Sequence, residues 1–175
     1  MQTQPATRTY PSILGLDCSG QPAQFGLLHQ GQARLEAHDL RSARLSASMP
    51  KLLDQLLQGI PASTLDAVAV ITGPGSFTGL RLALSFARAF DCAFKARIYA
   101  WSRFEVMAYQ MLALAHTAGA RILIIALSLK DEVYLQPFQA RSNTMWKAIA
   151  KPELVNKDNL DHVTARFEKT EHPLM

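Results

Sequence analysis

Cysteine is scarce in this chain, with Cys18 and Cys92 the only two in 175 residues. They share no metal-ligand or redox spacing, so a disulfide framework, a zinc ribbon and a CxxC redox centre are excluded. Both read as small buried hydrophobes in a reducing compartment. Long apolar runs are missing too. Ile122 to Leu127 is only six residues, against the roughly 18 needed to cross a bilayer. The opening stretch, Met1 to Arg8, is polar and lacks the apolar centre of a signal peptide. The expected place is the cytoplasm, with no membrane contact. Blocks of like charge are absent. Net charge +4 and pI ≈ 9.3 permit contact with nucleic acid without demanding it. The basic residues are scattered from Arg8 to Lys169. Their one ordered set, Arg81, Arg88 and Lys95, is spaced by seven and reads as a solvated helix side rather than an RNA stripe. Histidine pairs are lacking as well. The five histidines at 29, 38, 116, 162 and 172 include no i, i+4 pair of the kind a helical metal site uses. Nor is there a nucleophile–base pair of the kind a protease uses.

What is present is a core. Hydrophobic content of 49% with 18% charge suits a folded chain of one ordinary domain, or two small lobes. The low charge leads us to expect that part of the apolar surface meets a partner.

Residues 1 to 11 read as a loose tail. Ser12 to Asp17 is continuously apolar and so reads as a central strand. Turns at Gly20–Pro22 and Gln30–Gly31 set up two more strands, Gln24 to His29 and Gln32 to Leu40, in an antiparallel meander. From Ala43 to Leu57, Leu45, Met49, Leu52, Leu53, Leu56 and Leu57 form one apolar helical stripe, with Pro50 predicting a kink or a new start. Leu65 to Val70 is a strand, Leu80 to Phe94 a helix, Ala96 to Trp101 a strand, and Ser102 caps a helix to about Thr117. From Gly119 the order begins again. Strands at Ile122–Leu127, Glu132–Gln139 and Thr144–Ala150 are joined by a turn at Lys130–Asp131, and a helix follows from about Asn156 to Phe167.

The stretch Ile71-Thr72-Gly73-Pro74-Gly75-Ser76-Phe77-Thr78-Gly79-Leu80-Arg81 joins strand to helix. Gly75 and Gly79 suit positive φ or the close approach of another backbone, Pro74 fixes its own φ, and Thr78 is placed as an N-cap. Glycine-rich turns of this kind cradle phosphates, but the spacing is wrong for that use. Gly73-x-Gly75-x-x-x-Gly79 is one residue too long for the dinucleotide fingerprint, and no acid follows about 20 residues later. A P-loop would end in Gly-Lys-Ser/Thr. A structural turn that packs a helix tightly on a sheet stays open on spacing alone.

The run Gly-Pro-Gly-Ser-Phe-Thr-Gly-Leu-Arg, followed by the small-residue segment Leu82 to Arg88, closely resembles the signature of the TsaB (YeaZ) family. Ile13-Leu14-Gly15-Leu16-Asp17-Cys18-Ser19-Gly20 is similar to that family's opening strand. Glu132-Val133-Tyr134 and Lys151-Pro152-Glu153-Leu154-Val155 resemble later segments. The likeness covers about residues 12 to 155, dense in the first half and patchy after it.

The resemblance implies an α/β fold of the actin/sugar-kinase/Hsp70-like (ASKHA) kind. One complete β-β-β-α-β-α lobe would span residues 12–101, and a shortened second lobe 102–175. It implies a non-catalytic subunit, without cofactor or metal, that pairs with TsaD in making threonylcarbamoyladenosine in tRNA. A TsaE-like ATPase joins that system. Contact with tRNA would be indirect, and the isolated chain would form a homodimer. The signature and interface residues would be Gly73, Pro74, Gly75, Ser76, Phe77, Thr78, Gly79, Arg81, Leu82, Ser85 and Ala89. Leu82 and Ala89 would lie beside the water-accessible edge marked by Arg81, Ser85 and Arg88, with the leucine-rich helix 45–57 as a flank. TsaD carries a His-x-x-x-His metal motif that this chain lacks. The alternative is an ATP-binding enzyme of the same fold, using Asp17, Ser19 and the Gly73–Gly79 loop. Against it stands Leu127-Ser128-Leu129, where relatives tend to show Asp-x-Arg. A further departure is Arg44, near where many relatives have histidine. Asp17 and Ser19 otherwise read as the fixing pair of a hairpin turn.

Overall fold

The computed structural model describes residues 10–39, 42–111, 119–128, 131–142 and 145–169. The expected tail before residue 10, the end of the third helix, and Leu129, Lys130 and His172 lie outside the described residues. The chain divides into two compact units, Met1–Trp101 and Ser102–Met175.

The first unit is a five-stranded sheet in the order β3-β2-β1-β4-β5. Its strands are β1 (Ile13–Asp17), β2 (Ala23–His29), β3 (Gln32–His38), β4 (Ala67–Ile71) and β5 (Arg97–Trp101). The first three pair antiparallel, as two short turns require, whereas β1, β4 and β5 run parallel across helical connections. Those helices are α1 (Ser42–Leu57) and α2 (Phe77–Phe94), with a 3-10 turn at Ala62–Thr64 before β4. Both pack on one face of the sheet and share one core. Leu14, Leu16, Phe25, Leu27, Val68 and Val70 from the strands meet Leu45, Met49, Leu53 and Leu56 of α1 and Ala83 and Ala87 of α2. The alternation of buried and half-buried residues along β1 follows from the period of two along a strand.

One expectation is narrowed in this unit and one fails. Of the kink or new start expected at Pro50, there is no new start, because Pro50 sits inside a single helix. Its cost of roughly 3 kcal/mol is offset because the apolar stripe continues in phase on both sides, holding both halves on the sheet. Cys92 is exposed while Cys18 is buried, because position 92 falls on the outer side of α2.

The second unit holds α3 (Arg103–Gln110), β6 (Arg121–Leu127), β7 (Glu132–Ser142), β8 (Met145–Ala148), β9 (Glu153–Asn156) and α4 (Leu160–Lys169). Ser102 caps α3 in a reciprocal pair with Glu105, at 3.0 Å and 2.8 Å. Among the described residues of this unit four strands are found where three were expected. β7 pairs with β6 along one edge, while β8 and β9 share the other edge, opposite 138–142 and 132–135. The expected third strand, Thr144 to Ala150, is therefore shorter and is followed by a second piece. Between the pieces the ladder is bridged by Ile149 N–H to Pro137 O (3.1 Å) and by the Gln136 amide donating to Ala150 O (3.0 Å). Pro152 stands just before β9, where a residue without N–H ends regular pairing. The core of this unit is split. Phe104, Ala108, Ile124, Ala126, Phe138, Ala140 and Trp146 form one cluster, and Val133, Leu135, Val155 and Val163 form another.

Those two smaller cores set a difference in stability. Hydrogen exchange should release the amides of β6 to β9 well before those of β1 to β5, because local opening follows buried apolar contact. Equal protection in both units would contradict this.

Candidate functional site

The Gly73–Gly79 loop leaves the parallel end of β4 and enters α2 against the turn that follows β1. Ser76 N–H donates to Ser19 O at 2.6 Å. Gly75 and Gly79 lie so close to Ser19 and Cys18 that a Cβ at either position would collide with a backbone carbonyl oxygen. Of the two uses foreseen for these glycines, close approach is the one realised. Positive φ falls instead on Gly73, at 105°. The helix begins at Phe77 rather than Leu80, so Ser76 rather than Thr78 is the N-cap. Its Oγ accepts from Gly79 N–H at 3.2 Å, while Leu80 N–H donates to Ser76 O at 2.8 Å. Thr78 is exposed in the first turn.

Asp17 and Ser19 close the facing turn. One Asp17 oxygen, Oδ1, accepts from both Ser19 N–H (2.8 Å) and Ser19 Oγ–H (2.5 Å). Cys18 between them is buried, and its thiol pKa is pushed up to about 12, first by burial and then by the Asp17 carboxylate beside it. These residues do not fit a magnesium-bound nucleotide. Asp17 is engaged with its own turn, and the loop N–H groups of Ser76, Gly79 and Leu80 are already bonded within the protein. Leu127, the matching strand end in the second unit, is a 78% exposed apolar residue and not an acid.

Two of the described histidines have separate local partners. His29 Nδ1 lies 2.8 Å from Ser12 Oγ, and His38 pairs with Glu36 at 3.0 Å. Among the described residues, no group of three or more His, Cys, Asp or Glu is arranged to hold a metal ion. Among them, too, no helix is long and apolar enough to cross a membrane.

The outer side of α2 carries the remaining signature residues. Gly79, Ala83 and Ala87 are buried at intervals of four, which brings the helix close to the sheet. Arg81, Ser85, Arg88 and Ala89 are exposed on the far side. The Arg81 guanidinium lies 5.2 Å from the centre of the Phe77 ring, and Ser85 Oγ donates to Arg81 O at 2.8 Å. Leu82 is partly buried and packs on the core, with Phe86 and Phe90. The apolar residues exposed on α2 are instead Phe77 (72%), Leu84 (37%) and Phe94 (41%). Phe77 is among the signature residues named from the sequence, whereas Leu84 and Phe94 are not. The signal was the i, i+4 row of small residues, which marks the side nearest the sheet and so the side opposite. The leucines expected from α1 as a flank are all core residues, and its outer side carries Arg44, Lys51, Asp54 and Gln55.

Residues 37–159 match the family described as TsaD: tRNA N6-adenosine threonylcarbamoyltransferase. The tRNA threonylcarbamoyladenosine biosynthesis protein TsaB of Escherichia coli (strain K12) is 24% identical over 151 residues, covering 83% of this chain. The chain spans 64% of the length of that relative. Among solved structures, YeaZ from Pseudomonas aeruginosa agrees with a TM-score of 0.71 at 23% identity, over 86% of this chain and 69% of that one. A protein from the same organism, described as uncharacterised with similarity to peptidase YEAZ, gives 0.66 at 25% identity, over 84% and 67%. A Bacteroides thetaiotaomicron protein with an actin-like ATPase fold gives 0.51 at 7% identity, over 98% and 81%. The first and last of these structures are likenesses of fold alone, and that fold is the α/β fold that the family resemblance implied.

Proposed function

Because the chain belongs to the TsaD threonylcarbamoyltransferase family, in its TsaB/YeaZ branch, we propose that it is a non-catalytic subunit in the threonylcarbamoyladenosine modification of tRNA. In this reading it acts in the cytoplasm and holds a TsaD-like partner through α2, with a TsaE-like ATPase as a further member and tRNA contacted only indirectly. The observation that carries the reading is the outer side of α2. Phe77 and Leu84, seven apart, leave an apolar strip on water beside Arg81, Arg88 and the small Ala89, and exposed strips of this kind serve as interfaces. The glycine loop supports the same reading. Its Ser76 N–H bonds the β1 turn at Ser19 O, and its Gly79 and Leu80 N–H groups bond back to Ser76, which makes it a brace that fixes the start of α2 rather than a phosphate cradle.

In the absence of the partner, the isolated chain is expected to dimerise through the same strip. Leu84→Glu and Ala89→Glu place an unpaired charge there. Each should weaken both self-association and capture of the TsaD-like protein by at least about 2 kcal/mol, or about thirtyfold in Kd. Far-UV circular dichroism should stay unchanged, since both positions face away from the core. Sedimentation and copurification with the TsaD-like protein read the result. Retention of both associations by both variants would sink the α2 reading. Saturable magnesium-ATP binding with turnover by the isolated chain, lost on Asp17→Asn, would sink the non-catalytic one.

A further inference from the structure

At the end of the parallel strands away from the glycine loop, where β1, β4 and β5 begin, the first unit has a cavity of about 700 Å³. That is within the roughly 300–1,000 Å³ typical of small-molecule sites. Its lining includes Tyr10, Asp66, Lys95, Arg97 and Tyr99. Arg97 and Tyr99 stand two apart on β5 and so project from the same face of the sheet. Tyr10 is held at the rim over the β2–β3 turn, where a Cβ on Gly31 would lie 3.2 Å from its ring carbons. Lys95 is fixed by the end of α2: it takes a left-handed conformation with φ of 60°, and its N–H donates to Asp91 O at 2.9 Å.

The charges of this cavity are unevenly committed. Asp66 Oδ2 already accepts from Ser12 N–H at 2.7 Å, so its carboxylate is partly used by the protein's own backbone. Among the described residues, the ion pairs of His38 with Glu36 and of Arg166 with Glu153 do not involve Lys95 or Arg97. Tyr10 and Tyr99 remain 52% and 48% exposed. Two cations beside two open aromatic faces suit a ligand that is both flat and anionic. A phosphate takes the cations through charge-assisted hydrogen bonds, and a base stacks on a ring without regard to its identity.

We propose that this cavity binds a nucleotide, with the phosphate on Lys95 and Arg97 and the base against Tyr99 and Tyr10. The same chemistry is offered by a free nucleoside monophosphate and by an unpaired residue of an RNA strand. The site lies apart from the α2 strip and from Asp17, so it does not depend on the partner reading.

The test is calorimetric titration of the full chain with AMP, adenosine, inorganic phosphate and a short single-stranded oligoadenylate. AMP is expected to bind saturably, and more tightly than adenosine or phosphate. Tyr99→Ala should weaken AMP about tenfold. The Lys95→Gln, Arg97→Gln pair should weaken it comparably and flatten its salt dependence. These side chains are exposed, and circular dichroism checks that each variant is folded. Asp17→Asn and Leu84→Glu should leave the affinity unchanged. An oligoadenylate that binds at least tenfold tighter than AMP identifies RNA as the source, and equal affinity identifies the free nucleotide. The proposal is overturned if neither AMP nor the oligomer saturates at millimolar concentration. It is also overturned if phosphate alone binds as well as AMP, or if binding survives in Tyr99→Ala but falls in Asp17→Asn.

Discussion

Gly79→Ala is expected to destabilise the first unit by about 3 kcal/mol or more, at the upper end of what overpacking costs. The added methyl would be driven into the Cys18 carbonyl, with the Cys18 Cβ only 3.3 Å away. Neither neighbour is the free end of a flexible side chain, so relief requires the whole start of α2 to move off the β1 turn. That movement would break the Ser76 N–H to Ser19 O bond and lift Ala83 and Ala87 from the sheet. Urea unfolding measures the loss. Alkylation of Cys18 gives an independent reading, because its thiol is buried and its pKa is raised to about 12. In the wild type, Cys92 should react and Cys18 should not; in Gly79→Ala, Cys18 should become reactive well below the unfolding midpoint. Ser85→Ala, on the exposed side of the same helix, should change stability by no more than about 0.5 kcal/mol. A Gly79→Ala protein as stable as Ser85→Ala would show that the loop is not held against the turn.

Phe104→Ala is expected to cost about 3–5 kcal/mol, the range for removing a buried aromatic side chain. Phe104 is 0% exposed and belongs to the larger of the second unit's two clusters. Ala108, Ala126 and Ala140 are too short to fill the space left behind. The loss should be confined to residues 102–169, so exchange should accelerate across β6 to β9 and stay slow across β1 to β5. Association through α2, which lies wholly in the first unit, should survive. If the amides of both units lose protection together, the two units unfold as one and the separation of their cores has no thermodynamic meaning.

Much of the first unit was legible because its signals are local. β1 is an apolar run from Ile13 to Leu16, α1 carries a stripe of leucines at helical period, and the turns at Gln30–Gly31 and Gly73–Gly79 are marked by glycine. The second unit was read less well. Whether the residues after 144 make one strand or two is decided by how a distant partner, β7, presents Gln136 and Pro137 to them. No pattern within 145–156 carries that information.

The candidate site divides in the same way. That Gly73–Gly79 is a tight strand-to-helix loop, and that its spacing is wrong for a dinucleotide fingerprint, follows from the residues alone, since backbone freedom and donor count belong to residue types. What the glycines make room for was decided only in the folded chain, by the arrival of Cys18 and Ser19 from a turn some 55 positions away. The same holds for α2. Its amphipathic character is a property of sequence, but whether Leu82 or Leu84 meets water depends on how the helix is rotated on its sheet. Contact of Gly79, Ala83 and Ala87 with the sheet sets that rotation, because close packing admits the smallest side chains at the nearest approach.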